Sequence, residues 1–124
     1  MVSDLDNYKI LNKFNVSRET CKILDDYRRS VIIKNKEINL ISKKTENIFI
    51  ERHIIDCAQA IDFIDLSKKN CTDIGSGAGL PGLVLSIVLK SKNIKIKMNL
   101  YEKSYHKVKF LRQISKKLNL DVEV

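Results

Sequence analysis

Cys71-Thr72-Asp73-Ile74-Gly75-Ser76-Gly77-Ala78-Gly79-Leu80-Pro81-Gly82 decides how the rest of the chain is read. All four glycines and the single proline of the sequence fall between Gly75 and Gly82. The stretch reads as a short strand, a glycine-dense turn and the start of a helix. Gly75, Gly77 and Gly79 remove Cβ atoms where a backbone has to bend tightly and let a ligand touch it. Pro81 suits a first helical turn, where its missing N–H costs nothing. The apolar run Leu83-Val84-Leu85-Ser86-Ile87-Val88-Leu89 then predicts a buried helix. A strand, such a turn and a helix together predict a nucleotide-type binding site in an α/β sheet.

Two ligands compete for this turn. Gly77-Ala78-Gly79-Leu80-Pro81-Gly82 satisfies G-x-G-x-x-G, and Glu102 follows Gly82 by 20 residues, as a dinucleotide site requires. Read from Asp73, the same residues give Asp-x-Gly-x-Gly-x-Gly, which resembles the S-adenosylmethionine motif of Rossmann-like methyltransferases. A pyrophosphate wants bare N–H groups at a helix N-terminus, and a carboxylate at Asp73 repels it. S-adenosylmethionine carries no phosphate, and its sulfonium and ammonium groups are cations, so Asp73 helps. The charge pattern favours the methyl donor. A strand–helix turn without any ligand is the third reading, set against the density of glycine.

Downstream, Ile94-Lys95-Ile96-Lys97-Met98-Asn99-Leu100-Tyr101 alternates apolar and polar residues and predicts a second strand ending at Glu102. A carboxylate at that strand end can accept both hydrogen bonds of a ribose diol. Val108, Phe110, Leu111, Ile114 and Leu118 share one face of a helix beginning near Ser104, and Lys103, Lys107, Lys109, Arg112, Lys116 and Lys117 take much of the remainder. Asn119-Leu120-Asp121-Val122-Glu123-Val124 predicts a turn and the opening of a third strand.

At 124 residues, 44% hydrophobic and 31% charged, the composition is that of a soluble globular domain. No run approaches the ~18 apolar residues of a membrane span. Met1-Val2-Ser3-Asp4-Leu5-Asp6 lacks the basic start and apolar core of a signal peptide. Cys21, Cys57 and Cys71 are scattered, with no C-x-x-C, so reduced and mostly buried thiols in the cytoplasm are expected, with no disulfide framework and no metal site. The net charge of +8 points toward a polyanion, although 18 lysines against 5 arginines also fit a general compositional bias. Sparse aromatics argue against a stacking platform for single strands.

Residues 1–69 read as a helical region packing on the sheet, and 70–124 as the first half of a donor-binding domain. Ser17 is placed to cap a helix carrying Cys21, Leu24, Tyr27 or Arg28, Val31 and Ile38 at helical spacing. After the connector Asn39–Lys44, Thr45 is placed to cap a second helix running to about Ile64, in which Arg52 and Asp56 can pair at i,i+4. His53 admits two readings, an RNA contact or a hydrogen-bonding residue that supports its helix.

Asn39-Leu40, Arg52-His53-Ile54-Ile55-Asp56, Asp73-Ile74-Gly75-Ser76-Gly77-Ala78-Gly79-Leu80-Pro81-Gly82 and Lys107-Val108-Lys109-Phe110-Leu111 together resemble the ribosomal RNA small subunit methyltransferase G family, also called glucose-inhibited division protein B. The resemblance covers nearly the whole chain from about residue 20. It implies a Rossmann-like methyltransferase fold with N-terminal helices, and methyl transfer from S-adenosylmethionine to N7 of a guanine in bacterial small-subunit (16S) ribosomal RNA. It also implies that Gly75 and Leu80 contact the donor, with Cys57 standing where a serine is usual. The partner so implied is small-subunit rRNA, or the assembling small subunit, met by a monomer without metal. Guanine N7 has an unprotonated in-plane lone pair, so no catalytic base is needed and none is assigned. The family continues past the third strand with further strands and donor contacts, so a parallel sheet truncated after three strands is expected. The full set of donor-site candidates is Asp73, Gly75, Gly77, Gly79, Leu80 and Glu102, with Arg52 and His53 toward the substrate. The reading from another class is a non-catalytic module that holds RNA or a protein partner on a Rossmann-like scaffold.

Overall fold

The computed structural model describes residues 15–124. The first part of the 1–69 helical region, including the Met1–Asp6 segment, lies outside the described residues. Helix α1 (Arg18–Lys34) opens as its sequence predicts, with the Ser17 hydroxyl accepting from the Thr20 amide at 3.2 Å. Its buried face is Thr20, Cys21, Leu24, Tyr27 and Val31, a spacing of three and four residues that gives one stripe.

The second helix does not form as one α-helix capped by Thr45. The chain runs through a 3₁₀ segment (Lys43–Ile48), a π-helical segment (Ile50–Ile55), a single α-turn α2 (Asp56–Ala58) and a second 3₁₀ segment (Gln59–Phe63). Ser42, not Thr45, precedes the first helical residue, and its hydroxyl accepts from the Lys44 amide. The sequence contains the reason. Phe49, Ile50, Ile54 and Ala58 are all buried, and a strict spacing of four drifts about 40° per step around a 3.6-residue turn. A wider turn over Ile50–Ile55 takes up that drift and keeps the row on the core. Arg52 and Asp56, both exposed, do not form the ion pair their spacing allows. Closing such a pair in water gains little against the side-chain entropy it costs.

Strands β1 (Asn70–Ile74), β2 (Lys97–Tyr101) and β3 (Val122–Glu123) form a parallel sheet in the order β1-β2-β3. The register runs from Asn70 opposite Lys97 to Ile74 opposite Tyr101, and β3 joins with Met98 opposite Val122. Helices α3 (Gly82–Ser91) and α4 (Tyr105–Lys117) supply the two crossovers. The fold is therefore α/β, a three-stranded parallel sheet of Rossmann-like topology. β2 is three residues shorter than its alternating pattern, because Ile94 and Ile96 pack on the core before strand pairing begins. Pro81 stands one residue before α3, after a cis Leu80–Pro81 peptide.

One hydrophobic core unites the helices and the sheet. Leu83, Val84, Ile87, Val88 and Leu89 of α3 meet Met98 and Leu100 of β2 on one side and Tyr27, Phe49 and Ile54 on the other. Each such side chain, fully buried, contributes roughly 1.5–3 kcal/mol. The opposite sheet face is open among the described residues. Ile74 and Tyr101, paired in register, are 83% and 63% exposed. No helix is long and apolar enough to cross a membrane among the described residues.

Asn35, at the end of α1, is buried and ties the connector down. Its Oδ1 accepts from the Leu40 and Ile41 amides at 2.8 and 3.0 Å, and its Nδ2 donates to Glu46 at 2.7 Å. Asn35→Ala strands those amides, a loss of about 2 kcal/mol. Urea denaturation should show a lower midpoint with an unchanged slope.

Candidate donor-binding turn

Three residues of the turn between β1 and α3 use left-handed backbone, with φ of +74° at Gly75, +53° at Gly77 and +94° at Gly79. Residues with a Cβ pay strain there, and glycine does not. The turn is anchored to the end of β2, where the Tyr101 carbonyl accepts from the amides of Gly75 (2.8 Å) and Ser76 (3.1 Å). Ser76 is buried and closes the bend from within. Its hydroxyl donates to the Asp73 carbonyl, and its own carbonyl accepts from the Gly79 and Leu80 amides.

The four glycines divide into two kinds. A Cβ at Gly75 or Gly77 would meet nothing within 4 Å. At Gly79 it would lie 2.6 Å from Leu83 Cγ, and at Gly82 it would lie 2.8 Å from Asp73 Oδ2 and collide with the Leu100 side chain. Gly75 and Gly77 therefore border open space, whereas Gly79 and Gly82 are bare so that the turn and α3 can pack. Leu80 is half-buried beside them.

Two carboxylates flank the open side. Asp73 Oδ2 accepts from the Gly82 amide at 3.1 Å, so the carboxylate sits on the N-terminus of α3. Burial pushes its pKa up, and the hydrogen bond from the Gly82 amide, with the Ser76 side chain close by, pulls the other way. Glu102 Oε2 accepts from the Ser104 amide at 2.8 Å, and its Oε1 from the Gly77 amide at 2.9 Å. Its pKa is lowered, chiefly by the Ser104 amide and further by Gly77 and the Lys107 charge. Each carboxylate oxygen can take more than one hydrogen bond, so both groups keep capacity for a ligand. A cleft of about 420 Å³ opens beside Glu102, lined by Leu100, Tyr101, Val108, Arg112 and Glu123. Another, of about 270 Å³, lies at the opposite end of the strands between Ser86, Lys90, Ile94 and Asn119.

Asp73, Gly75, Gly77 and Glu102 are thus brought together at the carboxyl ends of β1 and β2, where open α/β sheets take ligands. Arg52 and His53 lie on the π-helical segment instead. Arg52 is exposed. His53 Nε2 is 2.8 Å from the Thr45 hydroxyl, whose single proton goes to the Ser42 carbonyl. The ring therefore donates from Nε2–H. Its pKa is lowered by burial and the Arg52 charge, against Asp56. Edge-on contact with Phe49 at 5.1 Å completes its setting, that of a residue supporting its helix. The Cys57 thiol is pushed up to about 12, first by burial and then by Asp56 and Asp73. All three cysteines are free thiols. No cluster of three or more His, Cys, Asp or Glu that could hold a metal occurs among the described residues.

The model of a protein family described as rRNA small subunit methyltransferase G (GidB) matches residues 20–124. The chain belongs to that family. A ribosomal RNA small subunit methyltransferase G from Pelagibacter ubique (strain HTCC1062) is 46% identical over 120 residues, which are 95% of this chain and 56% of that protein. Proteins of the same name from Rickettsia akari (strain Hartford) and Rickettsia rickettsii (strain Sheila Smith) are 39% and 40% identical over 109 residues, 88% of this chain and 54% of theirs. The chain spans about half the length of the curated relatives it matches.

The two kinds of glycine differ in what an alanine costs. Gly75→Ala adds only backbone strain, about 1 kcal/mol. Gly82→Ala overpacks Leu100 and Asp73, costing about 2 kcal/mol, and Gly79→Ala combines strain with a clash against Leu83 and costs more. Chemical denaturation of the three variants should rank them in that order; equal losses at Gly75 and Gly79 would contradict the division.

Proposed function

We propose that this chain forms the donor-binding part of an S-adenosylmethionine-dependent methyltransferase that acts on N7 of a guanine in small-subunit ribosomal RNA. The observation that carries the reading is the pairing of an open backbone cradle at Gly75 and Gly77 with a carboxylate on the helix N-terminus. A phosphate would need the amide that Asp73 already occupies, and it would meet a negative charge there. A ligand with a cationic amino acid end and a neutral nucleoside meets neither obstacle. Asp73 would face the donor's ammonium and sulfonium groups, and Gly75 and Gly77 would let its backbone-facing side approach. Glu102 would accept the ribose hydroxyls on its remaining lone pairs, with Leu80 bordering the site. The names borne by the relatives support the same activity and the same RNA.

Bound in this way, S-adenosylmethionine supplies an electrophilic methyl group. Guanine N7 brings its own lone pair, so the protein has no proton to remove and needs to hold two partners in line. Asp73 is a fixed charge at the donor, and the two amides on Glu102 hold it in place before the donor arrives. Such preorganisation avoids reorganisation cost during reaction. Toward RNA, the exposed Arg52 is the candidate phosphate contact, and His53 serves its helix. Tyr105 and His106, edge-on at 5.5 Å and flanked by Lys103 and Lys107, give the rim beside Glu102 both aromatic and cationic character. A net charge of +8 suits the same polyanionic partner. The reading takes residues 1–69 as a helical region packing on the sheet and 70–124 as the first half of the donor-binding domain of a cytoplasmic, monomeric enzyme.

Calorimetry should show saturable binding of S-adenosylmethionine and none of NADH. Glu102→Gln removes a charged acceptor, and hydrogen bonds to charged groups contribute roughly 1.5–3 kcal/mol, so donor affinity should fall about tenfold or more. Tight NADH binding would return the site to the dinucleotide reading. Absence of donor binding, with RNA still bound, would favour a non-catalytic module. Transfer of labelled methyl groups to unmethylated small-subunit RNA, mapped to guanine N7, tests the reaction.

The two carboxylates also give a pH signature. The donor's cation favours ionised Asp73, so affinity should rise with pH up to a plateau above Asp73's raised pKa. Glu102 is held toward its ionised form, chiefly by the Ser104 amide. Asp73→Asn should weaken binding and flatten the rise. An unchanged profile in Asp73→Asn would remove Asp73 from the donor contact.

A further inference from the structure

Ala78 sits between the two glycines that shape the turn, and its carbonyl points inward. There it accepts a hydrogen bond of 2.7 Å from the Tyr27 hydroxyl, fully buried and 51 residues away in sequence. No other donor reaches that carbonyl among the described residues. On the other side of the same turn, the Gly77 amide is held by Glu102. The peptide joining Ala78 to Gly79 is thus fixed at both ends, its carbonyl by Tyr27 and its N–H by the Ser76 carbonyl at 2.7 Å. Gly79 on one side makes rotation of such a peptide cheaper, since a change of its φ meets no Cβ, and Ala78 on the other side carries only a methyl. Only its hydrogen bonds keep it in place.

Tyr27 itself has no freedom to follow. Its ring is fully buried, edge-on to Phe49 at 6.0 Å, and Phe49 is edge-on to His53, which is tied to Thr45. Burial, with Cys57 and Asp73 nearby, raises the phenol's pKa well above its ordinary value, so the hydroxyl stays protonated as a donor. A rigid tyrosine on α1 therefore meets the carbonyl of a glycine-flanked turn peptide.

We propose that Tyr27 is a positioning residue for the donor site: by holding the Ala78 carbonyl inward, it fixes the Ala78–Gly79 peptide and with it the turn whose bare cradle faces the donor. This rests on the donor reading above. Loss of the hydroxyl would let the Ala78–Gly79 peptide sample other orientations, and the donor would then bind only the fraction that keeps the cradle.

The test is Tyr27→Phe, which keeps the ring against Phe49 and removes only the oxygen. Its control is Val31→Ala, which empties a fully buried position one turn along the same helix and lowers stability without touching the turn. Calorimetry with S-adenosylmethionine and amide hydrogen exchange are measured on both variants and on the unaltered chain. Tyr27→Phe should weaken donor binding about fivefold and speed exchange at Gly79 and Leu80 several-fold, with Val31→Ala changing neither. Unaltered binding in Tyr27→Phe, or an equal loss in both variants, would overturn the proposal. Should the unaltered chain not bind the donor at all, the donor reading fails. The exchange rates then judge Tyr27 alone, and unchanged rates at Gly79 and Leu80 overturn its role.

Discussion

The chain has to pass from the end of β1 into α3 between Gly75 and Pro81, and it does so with three left-handed residues in five. Everything at the site answers to that bend. A backbone this tight exposes amides that need acceptors, and the acceptors found are the Tyr101 carbonyl, the Ser76 carbonyl, Glu102 and Asp73. Two come from the end of β2 and its loop, so β1 and β2 have to pair in their observed register for the turn to close. Gly82 then has to be bare for Asp73 and Leu100 to fit beneath the start of α3. The turn is thus a product of sheet, helix and loop together, and it cannot be shaped by its own residues alone.

Two carboxylates near one another serve this bend in opposite electrostatic settings. Glu102 gains backbone donors and is held ionised. Its contribution to stability is present above the ordinary glutamate pKa and is lost as pH falls through the lowered one. Asp73 gains donors as well, but its burial outweighs them. Its charge is therefore a cost to the fold at neutral pH, relieved as pH falls through its raised value. A charge kept against a cost is well suited to a cationic partner, whose arrival removes the penalty. The same placement disfavours phosphate twice, by repulsion and by occupying the Gly82 amide.

Much of this was legible in the sequence, for particular reasons. The strand, turn and helix around Gly75–Gly82 follow from glycine and proline placement, and the Ser17 cap and the α4 stripe follow from short-range periodicity. Asp73 and Glu102 were identifiable as the charged groups at two strand ends. Composition could not reveal that the glycines serve two purposes, because G-x-G-x-x-G counts positions without saying which lack a Cβ for a ligand and which for a leucine. The second helix misled because buried residues spaced by four look α-helical over one turn, and the drift shows only over three. His53 was ambiguous for want of a partner, and Thr45, eight residues earlier, supplies it once the 3₁₀ segment folds back.

Tyr27 illustrates the deeper limit. At helical spacing between Leu24 and Val31 it reads, with Arg28 as the alternative, as one more core position, and burial assigns that position to Tyr27. Its hydroxyl carries the information, and a buried hydroxyl must find an acceptor or lose the net value of a hydrogen bond. Nothing in the local sequence says where that acceptor lies. The answer depends on α1 crossing α3 so that an oxygen on one helix meets a carbonyl in a turn 51 residues on. The core that joins α1 to α3 is therefore also what carries α1 to the turn between β1 and α3. Substitutions that move the Tyr27 hydroxyl should be felt at the Ala78–Gly79 peptide before they are felt in the sheet, because β1 and β2 are held by their own ladder and the carbonyl of that peptide is held by one side chain of α1.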